Sequence, residues 1–164
     1  MIVFKMNVSG VDELQKKLEA IGKDISDVLE EATAAGAVVV ARKAQENSRK
    51  GGVFPRRITG NLFRSIRPLT TKKSPGRVEV LVGSDNKYTK APKRKKNSKA
   101  RPIVVGSPME YARRLEHGFM DTDKLGRRYN QQPRPFLRPA LDDNTDEIEK
   151  AIAKKLEQVV RRYS

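Results

Sequence analysis

Apolar residues change their period several times along this chain, and each change marks an element. Ile2 to Val8 partly alternates β-branched and aromatic residues with polar ones, which predicts a first strand closed by Ser9-Gly10. Leu14, Leu18 and Ile21 then recur at i, i+4 and i+7 behind Asp12 and Glu13, an acidic first turn suited to the helix dipole, so a helix is predicted that ends at Gly22. Val28, Leu29, Ala32, Ala35, Val39 and Ala44 keep helical spacing and predict one long helix from about Ser26 to Ser48. Its Ala-rich composition allows close packing against a sheet. Gly51-Gly52 and Pro55 break that helix, and Lys50, Arg56 and Arg57 put charge on the loop.

Downstream, Thr59-Gly60-Asn61-Leu62 reads as a capped turn opening a short helical or bent segment, with Leu62, Ile66 and Leu69 directed inward. Arg77 to Gly83 predicts a strand with Val78, Val80 and Val82 on one face, and Leu81 indicates that the other face is partly covered. Arg101 to Gly106 reads as another strand, its early Pro102 placed at a strand start or edge. Ser107-Pro108 starts a helix whose Tyr111, Ala112 and Leu115 form a short apolar face, and Gly118 ends it. Phe119 to Arg134 is polar and suits a projecting hairpin or loop, with Asp123-Lys-Leu-Gly126 at its tip. After Pro139, which is expected to start the last helix, Leu141, Ile148, Ile152, Leu156, Val159 and Tyr163 follow a helical period with acids early and Arg161 and Arg162 late. Helices flanking several strands imply an α+β fold: a curved, mainly antiparallel sheet packed against a long helix and a C-terminal helix.

Composition narrows the function classes. The chain has 164 residues, enough for one domain with a real core, and no cysteine, which removes disulfides and thiolate chemistry. It has neither a long apolar run after a basic N-terminal segment nor eighteen consecutive apolar residues, so a signal peptide and a membrane span are not expected. The net charge of +15 is segregated: residues 47 to 141 hold 24 Lys or Arg against 6 Asp or Glu, while both ends are close to neutral. Segregation of this kind costs self-repulsion and points to an anionic partner.

Its focus is Lys87, Lys90, Lys93, Arg94, Lys95, Lys96, Lys99 and Arg101, with only Tyr88 available to stack on a base. Such a stretch cannot bury enough apolar surface to order itself. Phosphate contact, contact with an acidic neighbouring subunit and a solvated insertion between two strands all fit this composition.

Candidate catalytic chemistry is sparse. His117 is the only histidine, which rules out a His-paired metal site and leaves a Ser-His-Asp triad resting on one residue. Asp121 and Asp123 lack the further oxygen ligands, central Gly and terminal Glu of a calcium loop. Gly51-Gly52 is followed by Val-Phe-Pro, so no phosphate-binding P-loop is present. Glu116 stands out within an apolar turn, where a partly buried carboxylate needs an Arg or backbone donors.

Four strings succeed one another along the chain: Gly10, Glu13 and Leu14; then Thr59, Gly60, Leu62, Ser65 and Ile66; then Tyr111, Ala112, Glu116 and Gly118; and finally Pro135, Phe136, Leu137, Pro139, Ala140 and Leu141. In that order they resemble the tail-completion, or head-to-tail joining, proteins of long-tailed bacteriophages. Two positions depart from that pattern, His117 where the family often has an aromatic residue and Phe119 where it usually has Thr. The resemblance implies a single domain over residues 1–164, with a flexible basic insertion at 84–101 and a projecting loop at 119–134 that exceed a compact version. It also implies a structural virion protein of the tail or neck, neither an enzyme nor a cofactor binder, assembled in the bacterial cytoplasm. Copies are expected to close into a ring, taken as a hexamer, meeting tail-tube or tail-terminator proteins on one side and head-connector proteins on the other. Nonspecific DNA contact by the lysines and ordering of both loops only on contact belong to the same picture. The string residues would serve the fold or its interfaces. The competing reading is a non-enzymatic nucleic-acid-binding protein that uses residues 87 to 101 as an electrostatic clamp, with steeply salt-dependent binding. A hydrolase ranks behind both, because no nucleophile–base pair can be named.

Overall fold

The structure is a computed structural model that describes residues 2–5, 16, 19, 25–55, 60–74, 77–85 and 108–162. Most of the expected first helix, the basic segment and the expected strand at 101–106 lie outside these residues. The order of elements is β1 (Ile2–Lys5), α1 (Ile25–Lys50), α2 (Asn61–Ser65), β2 (Ile66–Ser74), β3 (Arg77–Ser84), α3 (Pro108–His117), β4 (Phe119–Thr122), β5 (Arg128–Gln131), α4 (Arg138–Asp142) and α5 (Thr145–Arg162). The fold is α+β, with an antiparallel sheet packed against the long helix and the C-terminal helix packed on that same helix.

The centre of the sheet is β3, flanked by β1 and β2, both antiparallel to it. Alternation along β3 buries Val78, Val80 and Val82 in the core, while Glu79 and Leu81 are half-buried on the opposite face. The strand β2 is not foreseen from the sequence. Its residues Arg-Pro-Leu-Thr-Thr-Lys-Lys lack a clean period of two, and its register against β3 shifts between Pro68 and Thr70. Among the described residues β2 is an edge strand of this sheet, a position that tolerates Pro68, and Leu69 falls at the irregularity and is half-buried.

α1 spans 26 residues and packs on β2 and β3 on one side and on α5 on the other. Leu29, Ala32, Ala37, Val40, Ala41 and Ala44 form its buried stripe, so small side chains set the approach distance. Gly36 lies against α5, where a Cβ would lie 2.7 Å from Ile152 Cδ1 and 2.9 Å from Ile152 Cγ1. Arg42 and Lys43 pair with Glu147, and Lys155 pairs with Glu31, across the α1–α5 seam. The hydrogen bond from Lys43, followed by the charges of Lys43 and Arg42, holds the Glu147 carboxyl below its ordinary value. These pairs are at least partly exposed and align the seam more than they stabilise it.

The C-terminal helix departs from expectation. Pro139 begins only the short α4, and the chain breaks at Asp143–Asn144 before α5 starts. Asn144 accounts for the break, since its side-chain amide donates to the carbonyls of Pro139 and Ala140 while its own carbonyl accepts the N–H of Ile148. One residue thus satisfies the end of one helix and the beginning of the next.

Gly36→Val is expected to cost about 2 kcal/mol through overpacking against Ile152, a fall of about 4–8 °C in melting temperature for a chain of this size. Adding Ile152→Ala should cost less in the Gly36→Val background than in the wild type, and additive losses in thermal melts would rule out that contact.

Candidate assembly interface

Glu116 stands in the last turn of α3 and is 7% exposed. Its Oε2 accepts the backbone N–H groups of Phe136 at 2.9 Å and Leu137 at 3.0 Å, and its Oε1 accepts that of Arg138 at 2.9 Å. Of the two partners the sequence allowed, the carboxylate has taken backbone donors. These N–H groups lead into α4, where no preceding turn supplies acceptors, so the anion satisfies donors that would otherwise be orphaned. From the other side Asn47, in the last turns of α1, donates its side-chain N–H to the Phe136 carbonyl at 3.3 Å. Phe136 is fully buried, with Leu137 and Ala140 beside it in the core. The strings around Tyr111 and Phe136, read separately in the sequence, therefore form one structural unit.

The string from Gly60 to Ile66 builds a second junction. Gly60 occupies the N-cap position of α2 at φ +80°, a left-handed conformation that favours glycine, and as a glycine it offers no capping side chain. The cap expected from Thr59 falls on a residue outside those described. Leu62 and Ile66 enter the core. Ser65 donates to the Leu62 carbonyl and shares a 2.7 Å hydrogen bond with the Ser84 hydroxyl, while the Asp85 N–H donates to the Ser65 carbonyl. Gln45 of α1 donates to the Ile66 carbonyl, and Arg67 pairs with Asp85. Helix, edge strand and central strand thus share one buried polar knot.

The two junctions meet at a shallow depression of about 350 Å³ lined by Ser84, Met109, Ala112, Arg113, Glu116, His117 and Leu137. Glu116 is already committed to three amides, and His117 is exposed. Tyr111 is half-buried, its hydroxyl has no hydrogen-bond partner among the described residues, and burial pushes its pKa up. Among the described residues no group of three or more His, Cys, Asp or Glu could hold a metal ion.

Beyond α3 the chain forms an antiparallel hairpin, with Phe119 opposite Gln131 and Thr122 opposite Arg128. Asp123 to Gly126 lie at its turn. Gly118 aims it: its φ is +77°, and a Cβ would lie 2.9 Å from the Gln131 carbonyl oxygen and 3.0 Å from Pro133 Cδ. At the base the Arg114 guanidinium lies 4.2 Å from the Phe119 ring centroid, and the Arg134 N–H donates to the Leu115 carbonyl at 2.7 Å. At the tip Asp123 gathers four donors. Its carboxylate accepts the N–H groups of Leu125 and Arg127, the Arg127 Nε–H at 2.7 Å and the Tyr129 hydroxyl at 3.1 Å. The backbone N–H of Arg127 is the foremost reason its carboxyl lies below the ordinary value of 3.8, with the Arg127 side chain, the Leu125 N–H and Tyr129 adding to it.

A family model described as "Bacteriophage HK97-gp10, putative tail-component" matches residues 12–118. The chain belongs to this family. The matched segment runs from before α1 to Gly118 and includes the Gly60–Ile66 junction and the Glu116 carboxylate, and the hairpin, α4 and α5 follow it. Comparison with curated proteins and with solved structures gave no match. The placement of the predicted residues in this HK97-gp10-like chain is uneven. Gly60, Leu62, Ser65, Ile66, Tyr111, Glu116, Gly118, Pro135, Phe136, Leu137 and Pro139 lie in or beside the two junctions, while the eight basic residues from Lys87 to Arg101 lie outside those described. Sequence reasoning missed Asn47, Ser84 and the organising role of Asp123. For Asp123 a signal existed, an acid four residues before Arg127 with Gly126 between, which is a turn-bracing pattern.

Removing the Glu116 carboxylate while leaving its three donors buried is expected to cost at least about 3 kcal/mol in Glu116→Ala and roughly half that in Glu116→Gln, measured by urea unfolding. Because the Asp123 carboxyl is depressed in the folded chain, its bracing is present above the unfolded value and lost as pH falls through the folded one. Amide exchange at Leu125 and Arg127, corrected for intrinsic rates, should stay slow at about pH 5 and accelerate below about pH 4. Asp123→Ala should remove that protection at every pH with little change in global melting temperature.

Proposed function

We propose that this tail-component protein completes the tail or neck of a long-tailed phage and joins the tail to the DNA-filled head by closing into a ring of copies. The observation that carries this reading is membership in the HK97-gp10-like tail-component family over residues 12–118. Two features support it. The family strings are spent on holding α1, α2, α3 and α4 together, which is what a rigid building block requires. The hairpin stands out from that block with a defined shape. In this role the protein works by assembling, as part of the virion, after synthesis in the bacterial host. Its partners are further copies of itself, tail-tube or tail-terminator proteins and head-connector proteins, and the basic segment adds contact with DNA or with acidic neck subunits. Among the described residues no helix is long and apolar enough to cross a membrane.

Deletion of the gene from its parent phage or prophage should leave full heads beside separate tails in electron micrographs, and purified protein added to half of the lysate should join them. Normal virions from the deletion would overturn the joining role and move nucleic-acid binding to the front.

A further inference from the structure

We propose that the β4–β5 hairpin is the arm by which one copy grips the next, seating on the carboxylate-bearing junction of α4 and α5 of a second copy; this rests on the ring reading above.

The first support is a mismatch between order and cover. The hairpin is held at its tip by Asp123 and at its base by Gly118, Phe119 and Arg134. Among the described residues it is a sheet of only two strands, and such a sheet is marginal in water unless something packs on it. Its own body supplies little, because only Phe119, Asp123 and Gln131 of the hairpin are even half-buried. Six large hydrophobic side chains are exposed among the described residues, and three of them, Met120 at 80%, Leu125 at 76% and Tyr129 at 46%, fall on this one hairpin. Both strand edges also leave backbone donors and acceptors without a third strand among the described residues. A pre-shaped arm lowers the ordering cost of association, so its rigidity favours a partner.

Charge selects the partner. Met120 and Asn130 face each other on one side of the hairpin, with Thr122 and Arg128 as the next pair on that side, and Lys124 stands at the turn. Lys124 and Arg128 make no ion pair among the described residues, whereas Arg127 is spent on Asp123. The reverse holds at the α4–α5 junction. There Asp143, Asp146 and Glu149 are exposed at intervals of three residues and make no ion pair among the described residues, and Asp142 has only Arg138 at 4.0 Å. No ion pair links the hairpin to this junction within one chain among the described residues. Two surfaces that complement each other and lie on different parts of one molecule make a heterologous interface, the kind that closes a ring by rotation. Nucleic acid fits the arm less well, because Asp121 and Asp123 leave the hairpin at a net +1 and Met120, Leu125 and Tyr129 add exposed apolar surface to it.

The test measures assembly of the full-length protein, alone and on tails from the deletion lysate, by light scattering and negative-stain microscopy. Lys124→Glu with Arg128→Glu in the arm, and separately Asp146→Lys with Glu149→Lys in the junction, should each weaken self-association at least tenfold with unchanged circular dichroism. All four changes in one chain should restore it. A photo-crosslinker at Leu125 should yield a chain-to-chain product joined to residues 138–149. Wild-type rings that the arm variants form equally well, a four-fold variant that stays dissociated, or a crosslink only to another protein or to DNA would overturn the arm while leaving the ring. Wild-type protein that never associates, alone or on tails, would overturn both.

Discussion

The carboxylate of Glu116 and the three amides of Phe136, Leu137 and Arg138 are the contact on which the arrangement of this chain rests. They fix the end of α3 to the start of α4, two points separated in sequence by the whole hairpin. Asn47 clasps the same stretch from α1, so the buried Phe136 is held through its backbone on both sides as well as by its ring. A buried carboxylate is costly to desolvate and is retained only where donors fully repay it, so the geometry has little freedom. The base of the hairpin inherits that rigidity, since Gly118 follows Glu116 by two residues and the Arg134 N–H returns to Leu115.

Around this contact the rest of the chain behaves as a platform. Small residues on α1 bring it close to the sheet and to α5, and at Gly36 there is no room for a Cβ beside Ile152. Ion pairs along the α1–α5 seam are partly exposed and add little stability. The polar knot of Ser65, Ser84 and Gln45 locks the short α2 to the edge of the sheet. Stability thus resides in apolar packing and in a few satisfied buried polar groups.

Membership in a tail-component family and a rigid body bearing a defined arm fit together physically. A structural tail component needs a body that holds its shape, and the satisfied buried polar groups of this chain help to supply one. The positive charge concentrated in the central residues gives the chain a longer-ranged attraction for anionic surfaces.

Periodicity alone located α1 to within two residues at either end, placed Val78, Val80 and Val82 on one face of β3, and put α3 between Pro108 and Gly118. These are elements in which one face is buried along its whole length, so burial writes itself into the spacing of apolar residues. It failed at β2, where a proline and a register shift erase the alternation, and at Asn144, where side-chain hydrogen bonding divides what reads as one helix. The sequence also singled out Glu116 as a carboxylate in need of donors, and the four strings as a resemblance to phage tail-completion proteins. Only the tertiary structure decided that those donors are the amides of the last string, that Asp123 braces a formed hairpin, and that Met120, Leu125 and Tyr129 go uncovered by the body of the chain. Backbone groups carry no sequence signature and exposure is a property of what lies opposite, so neither can be read from the order of residues.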